Sequence, residues 1–242
     1  LGDTGAMFGH SPEPVIQAAT DQIHNGITTM LPSKDSLAIG RELGKRFGLP
    51  FWQFAMTATE ANRYVIRNCR ALTKRPKILG MNECYHGSLD ESLPHIGQNG
   101  NLELRTSFDM NPGLPKDALT RVVEFNDAAA LERELAYKDV ACVLAEPLMT
   151  NCGMVLPEPG YHDQLRELCT RYGAYLVIDE THTFSNGPGG YTAAFGLQPD
   201  FITLGKSIAG GIPVAVYGFT SEVADAINAS YGRKAVSDPM GI

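Results

Sequence analysis

Seven short apolar runs, each followed by a longer amphipathic or polar stretch, limit what this chain can fold into more than any other feature it has. The runs are WQFAM (52–56), KILGM (77–81), RVVEF (121–125), VACVLAE (140–146), AYLVIDE (174–180), FITLG (201–205) and VAVYGFT (214–220). They are too short for helices, rich in β-branched residues and mostly apolar on both faces, as strands buried inside a parallel sheet are. The stretches between them carry helical spacing. From Thr59 to Thr73, the residues Ala61, Val65, Ile66, Cys69 and Leu72 share one stripe. The segments 128–137 and 160–172 behave alike, the second entered through Pro157 and Pro159. Alternating strand and helix predict an α/β fold with helices on both faces of a mainly parallel sheet. Residues 1–30, with a helix end at Asp21 to Gly26, read as a lead-in arm, and no domain boundary is expected within 40–220.

Composition removes several classes of function. The 242 residues are 43% hydrophobic and 19% charged, enough for a sizeable core. Twenty Lys and Arg against 27 Asp and Glu leave a net charge of −7, the wrong sign for a non-specific nucleic-acid binder. No apolar run reaches the roughly 18 residues of a membrane span, and the opening LGDTGAMFGHSPEP lacks the basic start of a signal peptide. The five cysteines are odd in number, scattered and free of any C-x-x-C pair, so buried reduced thiols in a cytoplasmic protein are expected. The six histidines form no H-x-x-x-H pair, and no metal site is expected. No G-x-S-x-G elbow follows a strand, which removes the Ser-His-Asp hydrolases. Gly205-Lys206-Ser207 matches the end of a nucleotide-binding P-loop. Asp200 stands where its first glycine belongs, however, and a strand fills the interval.

Ligands of open α/β sheets gather at the carboxyl ends of the strands. The residues that follow the runs are therefore the informative ones. Lys206 ends an apolar strand ahead of Ala209-Gly210-Gly211; a lysine there either snorkels to solvent or, desolvated, forms a Schiff base. Asp179 emerges from Tyr175-Leu176-Val177-Ile178 and fits a helix N-cap as well as a buried carboxylate paired with a cation. Thr57-Ala58-Thr59 opens a helix, either as a plain cap or as a cup of free N–H groups and hydroxyls for a phosphate. Tyr85 and His86, before Gly87, either stack on a flat ring or pack within their loop.

The ordered set Tyr85-His86-Gly87, Ala145-Glu146-Pro147, Leu176 to Glu180 and Thr203 to Gly211, with the spacing from Asp179 to Lys206, resembles the class III (subgroup II) aminotransferases. These are pyridoxal-phosphate enzymes that include glutamate-1-semialdehyde aminomutase. The resemblance runs over nearly the whole chain. It implies the three-layer large domain of the fold type I transferases, with a seven-stranded, mostly parallel sheet, over residues 31–242. It further implies a pyridoxal 5′-phosphate cofactor, small amine or amino-acid donors with keto or aldehyde acceptors, and a homodimer with shared active sites. A small C-terminal domain that follows in the family is expected to be missing from this chain.

The resemblance also assigns roles. Lys206 resembles the lysine that holds the cofactor as a Schiff base and shuttles the proton. Asp179 resembles the carboxylate that keeps the pyridine nitrogen protonated, so that the ring acts as an electron sink. Tyr85 is similar to the aromatic on one ring face, with His86 beside it, and Thr181 stands where the family packs a Val against the other. Ala58 and Thr59 fall in the phosphate cup, Asn151 matches an Asn that reaches the cofactor's phenolic oxygen, and Glu146 fits an acid near that edge. The chain departs from the family in three places: Ala58 replaces a Gly, Thr181 is polar, and Thr181-His182-Thr183-Phe184 differs from Val-x-Thr-Gly, placing His182 on the substrate side. Two activities follow, transfer between separate donor and acceptor or, as the alternative, intramolecular transfer in an aminomutase.

Overall fold

A computed structural model describes residues 4–27, 32–104 and 119–231. Their chain order is α1 (Glu13–Asn25), α2 (Lys34–Phe47), β1 (Phe51–Ala55), α3 (Ala58–Thr73), β2 (Lys77–Met81), β3 (Pro94–Ile96), β4 (Leu102–Leu104), β5 (Thr120–Val123), α4 (Ala128–Leu135), β6 (Val140–Ala145), α5 (Tyr161–Tyr172), β7 (Tyr175–Asp179), α6 (Gly190–Phe195), β8 (Phe201–Leu204), β9 (Ala215–Phe219) and α7 (Ser221–Tyr231). All seven apolar runs became strands of one sheet, in the order β1-β9-β8-β7-β6-β2-β5. β9 pairs antiparallel with both neighbours, while β8, β7, β6, β2 and β5 pair in parallel. The carboxyl ends of β1, β2, β6, β7 and β8 therefore share one edge with the start of β9.

Strand alternation sorts the core into two layers. Ile78, Cys142, Leu144, Val177, Phe201 and Tyr217 meet α3 and α7 on one face. Leu79, Val143, Ala145, Leu176 and Ile178 meet α4 and α5 on the other, and Ile202, Leu204 and Val216 extend that layer under α2. β6, an interior strand, is buried at every residue, hence its unbroken run of apolar side chains. Three of the helices, α2, α3 and α4, begin where short polar side chains satisfy first-turn N–H groups. The hydroxyl of Ser33 accepts from Asp35 N, that of Thr57 from Glu60 N, and the Asp127 carboxylate from Ala130 N.

Some boundaries differ from the periodicity. The segment expected to run to Tyr137 leaves the helix at Leu135, and the lead-in arm holds a full helix, α1, ending at Asn25 before Gly26. The periodicity gave no sign of α2, α6 and α7, nor of the β3–β4 hairpin. Four cysteines are buried thiols as expected, but Cys152 is exposed in the loop after β6. No helix among the described residues is long and apolar enough to cross a membrane.

Candidate active site

The carboxyl edge of the sheet opens into a cavity of about 810 Å3. Eight of the nine residues expected at a site line it: Ala58, Thr59, Tyr85, His86, Glu146, Asp179, Thr181 and Lys206. Asn151 does not; it is exposed, and its amide Nδ2 donates to Glu146 Oε1 at 3.1 Å.

Asp179 is buried at the end of β7 and gathers three donors. Asn62 Nδ2 and His86 Nδ1 both reach Oδ2 at 2.9 Å, and Thr181 N reaches Oδ1 at 3.0 Å. Burial alone would raise the carboxyl pKa, but the His86 bond and charge, with Thr181 and Asn62, hold it well below the ordinary carboxylate range. Burial works against a charge on His86 as well. Cys84 and Asp179 outweigh it and push the imidazole well above its ordinary value. The pair is thus an ion pair closed off from solvent. His86 is hydrogen-bonded to Asp179 at the cavity wall, and Asn62, unnoticed in the sequence, is the third member. Its signal was there: Asn62 stands three residues after Thr59, on the same face of α3.

Lys206 begins a 3-10 turn, Lys206–Ala209, directly after β8, with no long helix behind it to form a P-loop. Its φ of +51° is in the left-handed region, uncommon for a side chain with a Cβ. Its amine has no hydrogen-bond or ion-pair partner among the described residues. Gly205 in front of it has to be small. A Cβ there would lie 2.8 Å from Ala58 Cβ, so the bare Gly205 backbone just after β8 packs on the Ala58 methyl at the start of α3. At the same helix start, Thr57 caps Glu60 N, and the first-turn N–H groups lack intrahelical acceptors. Gly87 (φ +88°) packs on Thr59, whose Oγ1 accepts from Ser88 N at 3.2 Å. Tyr85 is 39% exposed at the cavity wall.

Glu146 is buried where β6 ends. Its Oε2 accepts from Thr150 N at 3.2 Å and from the Thr150 hydroxyl, and that hydroxyl also meets His182 Nδ1 at 2.6 Å. Burial raises the Glu146 pKa, but His182, the charge on His86, Thr150 and Asn151 bring it below the ordinary value.

The family model for class-III aminotransferases matches residues 4–240. This chain belongs to the class-III aminotransferase family. A glutamate-1-semialdehyde 2,1-aminomutase of Francisella tularensis is 33% identical over 230 residues, which make up 92% of this chain and 53% of that protein. The crystal structure of a glutamate-1-semialdehyde aminomutase from Pseudomonas aeruginosa is 52% identical with a TM-score of 0.92, covering 96% of this chain and 51% of that one. A lysine-to-alanine variant of the Pseudomonas enzyme was crystallised in complex with PMP. An omega-transaminase from Sphaerobacter thermophilus is 28% identical, with a TM-score of 0.83 over 98% of this chain and 58% of its own. The chain spans about half the length of these relatives.

Within this class-III aminotransferase fold, two sets of residues at the cavity had escaped the sequence. One is Thr150, outside the cavity lining itself, whose hydroxyl the loop after β6 sets between the lining residues Glu146 and His182. The other comes from the lead-in arm: Val15, Ile16, Ala19 and Ile23 of α1 line the cavity. Their spacing of one, three and four is that of a helix face, and it was legible.

Proposed function

We propose that this chain forms the cofactor-binding part of a pyridoxal-phosphate-dependent aminotransferase, moving an amino group from an amine or amino acid to a keto or aldehyde acceptor. The observation that carries this is the unpartnered Lys206 amine in one cavity with Asp179, a buried carboxylate held ionised by His86. The residues present fit pyridoxal 5′-phosphate. Asp179 Oδ1 accepts only the Thr181 N–H and keeps a lone pair for a ring N–H. Thr181 Oγ1 is buried without a partner beside it. The start of α3 offers N–H groups and a partial positive charge to a phosphate.

When bound, the cofactor supplies an electron sink for the charge left when a Cα proton departs. The protein does the rest. Lys206 would hold the cofactor at its carbonyl carbon and, as a free amine, would move the proton at the substrate Cα. Asp179, fixed as an anion, would keep the ring nitrogen protonated. Thr57, Ala58 and Thr59 would hold the phosphate, Tyr85 and Thr181 the ring, and Glu146, hydrogen-bonded by Asn151, would border its phenolic edge.

A second reading is favoured by the names of the two aminomutase relatives: the same residues serving intramolecular transfer of the glutamate-1-semialdehyde type. We also infer a cytoplasmic homodimer. In support, α1 buries none of its residues, and Ile16, Ile23, Met154 and Leu156 are exposed apolar side chains that a second copy would cover.

Borohydride reduction of the cofactor-loaded, full-length protein followed by peptide mass mapping tests the central assignment. The pyridoxyl label is expected on Lys206 and absent from Lys206→Ala. A label on another lysine, or an unlabelled wild type, would overturn it. Repeated turnover of glutamate-1-semialdehyde without an external donor or acceptor separates the aminomutase from the transaminase, which stops after one half-reaction per site.

A further inference from the structure

Two buried polar atoms beside Asp179 lack a partner and complement each other. Asn62 and Thr203 are both fully buried, and neither Asn62 Oδ1 nor Thr203 Oγ1 has a hydrogen-bond partner among the described residues. The Asn62 amide can stand only one way round. Its Nδ2 faces two pure acceptors, Asp179 Oδ2 at 2.9 Å and the His86 carbonyl at 3.3 Å, so both of its hydrogens are spent there. A flipped amide would press its oxygen on both. Oδ1 therefore points away from Asp179 and requires a donor.

The packing of α3 on β8 brings Thr203 to it. The register of β7 and β8 pairs Asp179 with Thr203, so the two side chains leave the sheet on the same face. Gly205, two residues further on and extended at φ −151°, meets Ala58 at the start of α3. From that contact the helix runs back along the strand. Two residues of strand cover about 6.6 Å and four of helix about 6 Å, which sets Thr203 opposite Asn62. One step further, Phe201 joins Val65 and Ile66 in the same core layer. On its other side Thr203 pairs with Tyr217, whose hydroxyl is engaged by Asn68.

We propose that Thr203 is a positioning residue for the cofactor: its hydroxyl gives Asn62 Oδ1 the hydrogen it lacks, directly or through one water, and so holds Asn62 Nδ2 on Asp179. With Asn62 and His86 both on Oδ2, the carboxylate is fixed, and Oδ1 keeps the lone pair that a ring N–H would use. This role presupposes the aminotransferase reading above. Thr203 does not line the cavity and acts only through Asn62.

The test uses the full-length protein with Thr203→Val, which removes the hydroxyl at nearly constant shape, Thr203→Ser, which keeps it, Asn62→Leu, and the double variant Thr203→Val with Asn62→Leu. Thr203→Val should raise the pyridoxal 5′-phosphate dissociation constant about 3–10-fold in equilibrium dialysis, the worth of one hydrogen bond. Thr203→Ser should restore most of that loss. Asn62→Leu should lose at least as much as Thr203→Val, and the double variant no more than Asn62→Leu alone, because the hydroxyl then has no amide to hold. Where Thr203→Val is too unstable to load, Thr203→Ala takes its place. Independently of cofactor binding, NMR of nitrogen-15-labelled histidine reads the other donor on Oδ2. With Asn62 off that oxygen, the His86 Nδ1–H bond tightens, so its proton resonance should move downfield in Thr203→Val and Asn62→Leu alike and stay in place in Thr203→Ser. An unchanged dissociation constant in Thr203→Val, additive losses in the double variant, or a His86 resonance that answers Asn62→Leu but not Thr203→Val would each overturn the proposal. Borohydride labelling of Lys206 in the same preparations separates the two levels. A labelled wild type with no effect of Thr203→Val refutes the Thr203 role alone, whereas an unlabelled wild type refutes the aminotransferase reading and this role with it.

Discussion

Replacing His86 with leucine isolates the ion pair behind Asp179. His86 and Asp179 have side chains 1% and 4% exposed, 2.9 Å apart. Removing one partner of a buried pair strands the other charge, at a cost of about 3–5 kcal/mol. Asp179 keeps Asn62 and the Thr181 N–H, which places His86→Leu at the low end, about 3 kcal/mol, or a Tm lower by about 6–12 °C. The loss has a pH signature. His86 has a raised folded pKa, so its contribution is fully present below its unfolded value of about 6.5 and is lost as pH rises through the folded value. Asp179 has a depressed folded pKa. Its contribution is fully present above about 3.9 and is lost as pH falls toward the folded value. The gap between wild type and His86→Leu should therefore be widest between about pH 4 and 6.5 and narrow on the alkaline side. Denaturant melts across that range measure it. Adding Asp179→Asn to His86→Leu should return about 2 kcal/mol, because no charge is then left unpaired. A loss below about 1 kcal/mol for the single variant, with strict additivity in the double, would refute the buried ion pair.

Other substitutions probe the frame around it. Gly205→Ala forces a Cβ to 2.8 Å from Ala58 Cβ and should cost about 1–3 kcal/mol in thermal unfolding, with faster loss of cofactor on dialysis. Tyr85→Ala should weaken cofactor binding about tenfold while changing the single-turnover rate little, as equilibrium titration would register. Arg75 Nη1 donates to the carbonyls of Val140, Tyr172 and Gly173 at 3.0, 2.8 and 3.0 Å. Arg75→Met should lower stability by about 2 kcal/mol in a chemical melt without moving cofactor affinity.

The sheet was legible because a parallel strand buried on both faces has little choice of residue, as β6 illustrates. The edge that carries the cavity followed from strand polarity, and Lys206 and Asp179 stood out as ionisable groups ending apolar runs. What stayed hidden depends on contact between distant segments. That His86 bonds the Asp179 carboxylate is decided by how the loop after β2 meets β7. Asn151 was expected at the site, but it lies outside the cavity lining, with its amide donating to Glu146. Helix α2 has apolar positions at Leu43 and Phe47 but also Gly40 and Gly44, whose low propensity masks a helix that packing under Ile202 and Leu204 stabilises.

The donors to Asp179 have a consequence for the order in which the molecule is made. They come from 117, 93 and 2 residues away along the chain. Asn62 and His86 leave the ribosome first, and at about 5–20 residues per second His86 waits on the order of 5–20 s for Asp179. During that time β6 has not yet received β7, and the loop closures that bring the carboxylate to α3 cost entropy before any contact repays it. The carboxylate's surroundings therefore come into being only when the central strands are complete. Cofactor cannot template the early chain; it can only capture a sheet that has already closed, adding stability by mass action.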